Sequence, residues 1–171
     1  MISPRILKAM VFGANDGIVT TFAVVAGVAG AKLSVTIVLI MGIANLMADG
    51  LSMGLGDYLG AKSELRLERL TNRRKKVKGI WHTGVVTFVA FLIAGSMPLL
   101  PYYMKWLGVN LGGNDFLISI VATLGTLFLV GSARSLVTRD NWLRNGVEML
   151  AIGSLAAGVA YGVGAWIKMF L

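Results

Sequence analysis

Five continuous apolar runs dominate this chain, at about Val11–Ala31, Val35–Tyr58, Val85–Met104, Phe116–Ala133 and Gly146–Ile167. A helix needs about 20 apolar residues to cross a hydrocarbon core, and each run is close to or above that length. Within lipid an unpaired backbone N–H or C=O costs several kcal/mol, so a spanning segment is either a helix or part of a closed barrel. Barrel strands alternate polar and apolar positions over about ten residues, and these runs do not alternate. The expected fold is all-α, a polytopic membrane protein with five transmembrane helices. Composition agrees: 14 % of the residues are charged and the mean hydropathy is +0.77. Five spans take up most of 171 residues, leaving one transmembrane domain over 1–171 and no room for a second globular one.

The net charge of +8 would suggest nucleic acid in a soluble protein. Here the basic residues report topology. Thirteen of the sixteen fall on one side if the N-terminus is cytosolic: Arg5 and Lys8, eight in the basic loop 59–80, then Arg134, Arg139 and Arg144. Only Lys32, Lys105 and Lys168 fall on the other. That bias predicts a cytosolic N-terminus and an external C-terminus. No nucleic-acid partner is expected, although the loop can attract anionic membrane lipid. The first run imitates a signal peptide at Ala29-Gly30-Ala31, but its length and the internal Asp16 argue against cleavage. With no targeting segment expected, a prokaryotic plasma membrane is the anticipated location. The chain has no Cys, which excludes disulfides and thiolate metal sites.

Ionisable residues inside a span are costly and point to function. The second run carries Asn45, Asp49, Met53 and Asp57 at successive i+4 spacing, a slowly winding helical stripe about 18 Å long. The first run adds Asn15 and Asp16. Carboxylate and amide oxygens suit hard cations, and a thioether shifts preference toward softer ones such as Fe²⁺ or Mn²⁺. Met53 fits plain packing equally well on spacing alone. Asp49 could instead make a bare interhelical hydrogen bond, and Asp57 lies near the interface where a carboxylate is cheap.

Asp16 and Asp49 stand seventeen residues before and sixteen after Leu33, at the turn between the first two spans. Both therefore lie about 25 Å from that turn, at one depth. Two like charges in low dielectric repel, favouring one retained proton until a cation displaces it. Glu64 and Glu68 share a face of the continuing second helix. They are candidate residues for admitting metal from the cytosol, or simply a solvated face.

The remaining signals are weaker. Glu148 has Arg144 one turn before it and is expected to pair with it. His82 beside Trp81 suits an interfacial position, and Pro98 with Pro101 should kink or end the third span. Pairs such as Gly13/Gly17, Gly50/Gly54, Gly56/Gly60 and Gly158/Gly162 predict close helix approach. No base stands near any Ser or Thr to activate it, so no enzyme is expected and no permanent cofactor.

Gly13-Ala14-Asn15-Asp16-Gly17-Ile18-Val19 and Ala44-Asn45-Leu46-Met47-Ala48-Asp49-Gly50-Leu51-Ser52-Met53-Gly54-Leu55-Gly56-Asp57-Tyr58-Leu59 together resemble the paired signature of the vacuolar iron transporter (VIT) family. Pro98-Leu99-Leu100-Pro101-Tyr102 and the Gly/Ala-rich fifth span follow in the same order. The resemblance implies a five-helix homodimer exporting Fe²⁺ or Mn²⁺ from the cytosol in exchange for protons, near the dimer interface. It also implies path or mouth roles for Asp16, Asp49, Met53 and Asp57. The family motif commonly ends in Glu where this chain has Asp57. Its glutamate-rich cytosolic metal-binding domain is absent or vestigial here, because 59–80 holds only Glu64 and Glu68 among eight basic residues. A competing reading is a non-transporting membrane subunit that binds a partner through the basic loop.

Overall fold

The structure is a computed structural model that describes residues 4–70 and 80–170. Its long helices are α1 (Pro4–Gly30), α2 (Val35–Leu70), α3 (Ile80–Gly95), α5 (Asp115–Thr138) and α6 (Trp142–Lys168), with a short α4 (Leu100–Trp106). There is no strand among the described residues. Five segments are long and apolar enough to span a membrane: α1, Val35–Glu68 of α2, Ile80–Trp106, Asp115–Leu136 of α5, and α6. Helix α2 runs on past the apolar stretch to Leu70, so the first part of the basic loop is helical. The run from Arg73 to Lys78 lies outside the described residues.

Each helix boundary has a local cause. Helix α1 ends in a Schellman motif: the Leu33 N–H donates to the Val28 carbonyl at 3.1 Å and the Lys32 N–H to that of Ala29 at 2.9 Å. Lys32 takes the left-handed position, at φ 55°. Helix α6 starts from an Asn141 cap, whose Oδ1 accepts from the Leu143 and Arg144 N–H groups at 3.0 and 3.4 Å.

The third span is a broken helix. Proline supplies no N–H, so α3 stops at Gly95, a 3₁₀ turn covers Met97–Leu99, and Pro101 falls in the first turn of α4. The Pro98 carbonyl accepts a 2.6 Å bond from the buried Ser119 hydroxyl of α5. Such a partner is what lets an interrupted helix persist at membrane depth.

Helix α1 is the central element, packed along α3 and α6 and flanked by α2 and α5. Lipid tails are as apolar as Leu, so helices in membranes associate through close packing rather than water exclusion. Glycine permits this. A Cβ on Gly13 would collide with the Thr87 carbonyl and one on Gly17 with the Phe91 carbonyl, while Gly54 and Gly84 face each other between α2 and α3. Phe22, Val25, Leu46, Phe91 and Leu99 fill the core between these contacts. The most apolar window of α1 is 44 % buried and that of α6 only 11 %, so α6 offers most of its surface to lipid or to another protein.

One expected pair is corrected. Glu148 pairs with Arg134 at 2.9 Å, not with Arg144. The tight turn between α5 and α6 lays the last turns of α5 against the first of α6, and Arg134 reaches across to both Glu148 and the Asn145 Oδ1. His82 stacks on Trp81 with ring centroids 3.9 Å apart.

Candidate metal pathway

On α2 the i+4 stripe forms one half-buried edge. Asn45, Asp49, Met53 and Asp57 are each half-buried, with Leu46, Gly50 and Gly54 buried on one side and Met47, Leu51 and Leu55 exposed on the other. Asp16 of α1 is also half-buried. It lies near enough to Asp49 to feel that carboxylate's charge.

Two amides on these helices are unsatisfied, Asn45 on the α2 stripe and Asn15 on the face of α1 turned toward α5 and α6. The Asn15 Oδ1 and the Asn45 Nδ2 are buried and have no hydrogen-bond partner among the described residues. A buried polar atom left in this condition costs about 1–3 kcal/mol. The Asn15 oxygen is an acceptor suited to a cation or its water. Met53 packs against the apolar core, which accounts for its position by packing and leaves the thioether at the edge of the stripe.

The lower end of the stripe opens on a cavity of about 270 Å³ between the first turns of α1, the middle of α2 and the start of α3. Asp57 and Glu64 line it, together with Arg5 and Lys8. The Asp57 Oδ2 accepts a 2.9 Å bond from the fully buried Thr87 hydroxyl of α3. Glu64 is held by the Arg5 guanidinium at 3.2 Å. Glu68 is half-buried and lies outside that lining. The structure thus brings Asp57 and Glu64 to one cavity and Asp16 near Asp49.

No group of three or more His, Asp or Glu residues able to hold a metal exists among the described residues. One copy of the chain offers paired acids, with amide oxygen and thioether to supplement them. Thr87 and Arg5 were not legible as site residues. Thr87 looks like an ordinary hydroxyl in an apolar span, and Arg5 counts in the sequence only toward topology.

Comparison with known proteins adds a family. A family model described as "VIT family" matches residues 7–79 and 65–165. The chain is 28 % identical to the vacuolar iron transporter of Toxoplasma gondii, over 95 % of this chain and 74 % of that protein. It is 27 % identical to vacuolar iron transporter 1 of Arabidopsis thaliana, over 92 % and 84 % respectively. It is 25 % identical to protein CCC1 of Saccharomyces cerevisiae, over 94 % and 68 %. The Toxoplasma alignment spans 225 positions against a chain of 171 residues, so that relative has internal residues this chain lacks. The family match falls into two stretches that overlap at 65–79, from the last turns of α2 to the residue before α3. These relatives are eukaryotic and two are named for a vacuole, which gives a prokaryotic plasma membrane no support.

Proposed function

This chain belongs to the VIT family, and from that premise we propose that it moves divalent Fe²⁺ or Mn²⁺ out of the cytosol in exchange for protons, as a homodimer. The relatives named as iron transporters support metal-ion transport across a membrane rather than catalysis. The observation that supports the finer reading is that Asp16 of α1 lies near enough to Asp49 of α2 to feel its charge. A divalent ion neutralises both carboxylates, and either carboxylate can take a proton when the ion leaves. That alternation is the elementary step of an antiporter.

Two acids and an amide leave a hard cation short of its usual six or more oxygen ligands. The Met53 thioether, backbone carbonyls, water or a second copy must complete the shell. Helix faces around Gly158 and Gly162, which meet nothing within 4 Å, are open to such a copy. The Asp57–Glu64 cavity serves as the mouth in place of a larger acidic domain. Purified chain in liposomes should take up Fe²⁺ and Mn²⁺ faster when a pH gradient is imposed. Liposomes that accumulate neither ion under either condition would refute transport and leave the partner-binding subunit.

Replacing Met53 with Leu keeps volume and apolarity, a swap that costs under about 1.5 kcal/mol in a core. Folding should survive while Fe²⁺ or Mn²⁺ uptake falls several-fold. Unchanged uptake in folded protein would leave Met53 a packing residue only.

The topology proposed is N-terminus in the cytosol and C-terminus outside, from the distribution of basic residues. A C-terminal reporter active only outside the cytosol should be active on this chain. A reporter active only in the cytosol would reverse the orientation and with it the direction of transport.

A further inference from the structure

The cavity at the lower end of the α2 stripe contains its own cation. Arg5 projects from the first turns of α1 and binds Glu64 at 3.2 Å, across a chamber whose other acid is Asp57. Both members of the pair are partly solvated, with side-chain exposures of 41 % and 55 %, so the pair can open without stranding a buried charge. Asp57 is held separately by the Thr87 hydroxyl at 2.9 Å and stays fixed when Arg5 moves. Gly56 and Gly60 border the same chamber, and a Cβ on either would meet nothing within 4 Å. These glycines therefore create open space here and are not packing contacts.

We propose that Arg5 is a tethered competitor at the mouth: its guanidinium occupies Glu64 until an incoming divalent cation displaces it, so that Arg5 sets the affinity and charge selectivity of metal admission. This rests on the transport reading above. The selectivity follows from charge. An ion of charge +1 that displaces a guanidinium gains nothing in Coulomb energy at Glu64. A divalent ion bridging Glu64 and Asp57 gains attraction to both carboxylates, roughly double per contact at equal distance.

The test is Mn²⁺ binding to the full chain in detergent, read by loss of the free Mn²⁺ electron paramagnetic resonance signal, with uptake into liposomes measured in parallel. Arg5→Gln should tighten Mn²⁺ binding about tenfold, the scale of removing one unit charge from beside a divalent ion at a partly exposed site. It should also let Na⁺ compete where it does not in the parent. Arg5→Lys keeps the charge and should bind Mn²⁺ like the parent. Glu64→Gln should weaken binding, and in the Glu64→Gln background Arg5→Gln should have little effect, because the competitor has lost its seat.

Gly60→Leu supplies a readout that leaves the ion pair in place. Its side chain enters open space, so the fold is kept, and filling the chamber should slow uptake at low Mn²⁺. Arg5→Gln that binds Mn²⁺ no more tightly than the parent would overturn the proposal even if the chain transports. Tighter binding in Arg5→Gln, cancelled by Glu64→Gln, would uphold it even if no flux is found.

Discussion

A chain carrying both Asp16→Cys and Asp49→Cys is expected to bind Cd²⁺ about a hundredfold more tightly than either single variant. The native sequence has no cysteine, so every thiol in these proteins is an introduced one. Cd²⁺ is soft and prefers thiolate to carboxylate, as the affinity of soft ligands for soft metals requires. Binding the second thiolate of a pre-positioned pair is intramolecular, and linked sites of this kind gain about 10²- to 10⁴-fold over one alone. The gain requires that the two positions face one space, and Asp16 lies near enough to Asp49 to feel its charge. Titration with Cd²⁺, followed by ultraviolet thiolate-to-metal absorption, separates the cases. Equal affinities in single and double variants would mean that the two acids do not share an ion within or between protomers.

Much of the architecture was legible because a bilayer imposes a simple rule. Continuous apolar runs of sufficient length must be helices, and five of them gave five spans. The place where the third span breaks was also visible, since a proline has no N–H to donate and Pro98 and Pro101 stand together. So was the half-buried edge on α2, because i+4 spacing puts Asn45, Asp49, Met53 and Asp57 on one side whatever the tertiary structure.

Periodicity does not name partners, however. Arg5 meets Glu64 across 59 positions of sequence, and Thr87 meets Asp57 across 30. Both contacts arise from how α1 and α3 lie against α2, and that depends on which glycines pack. Gly13, Gly17, Gly54 and Gly84 pack closely while Gly56 and Gly60 border open space. No sequence pattern distinguishes the two sets. Arg144 is the instructive error: an i+4 neighbour of Glu148 on one helix lost to Arg134 on the next, because a short turn put Arg134 closer.

The largest stability effect should come from the other end of the bundle, where Lys105 of α4 binds Asp115 at the start of α5. Only 10 % of the Asp115 side chain is exposed, and one of its oxygens is buried without a hydrogen-bond partner among the described residues. Removing one member of a buried pair costs about 3–5 kcal/mol, since the remaining charge is left in a poor solvent. Two features reduce that figure. The Lys105 side chain is 43 % exposed, so water already screens part of the attraction, and Asp115 sits in the first turn of α5, where the helix dipole favours an anion.

Lys105→Met is therefore expected to cost about 2–3 kcal/mol, more than the Arg5–Glu64 or Arg134–Glu148 pair can contribute. Arg5–Glu64 and Arg134–Glu148 each have a partner at least half exposed, and such pairs contribute about 0–1 kcal/mol. The sign of the double variant discriminates the cause. If the loss comes from a stranded carboxylate, Lys105→Met combined with Asp115→Leu should recover most of the stability, because no buried charge is left behind. If the ion pair itself holds α4 to α5, the double variant should unfold as readily as Lys105→Met alone. Denaturant unfolding in detergent, followed by the combined fluorescence of the four tryptophans, reads both outcomes on one scale.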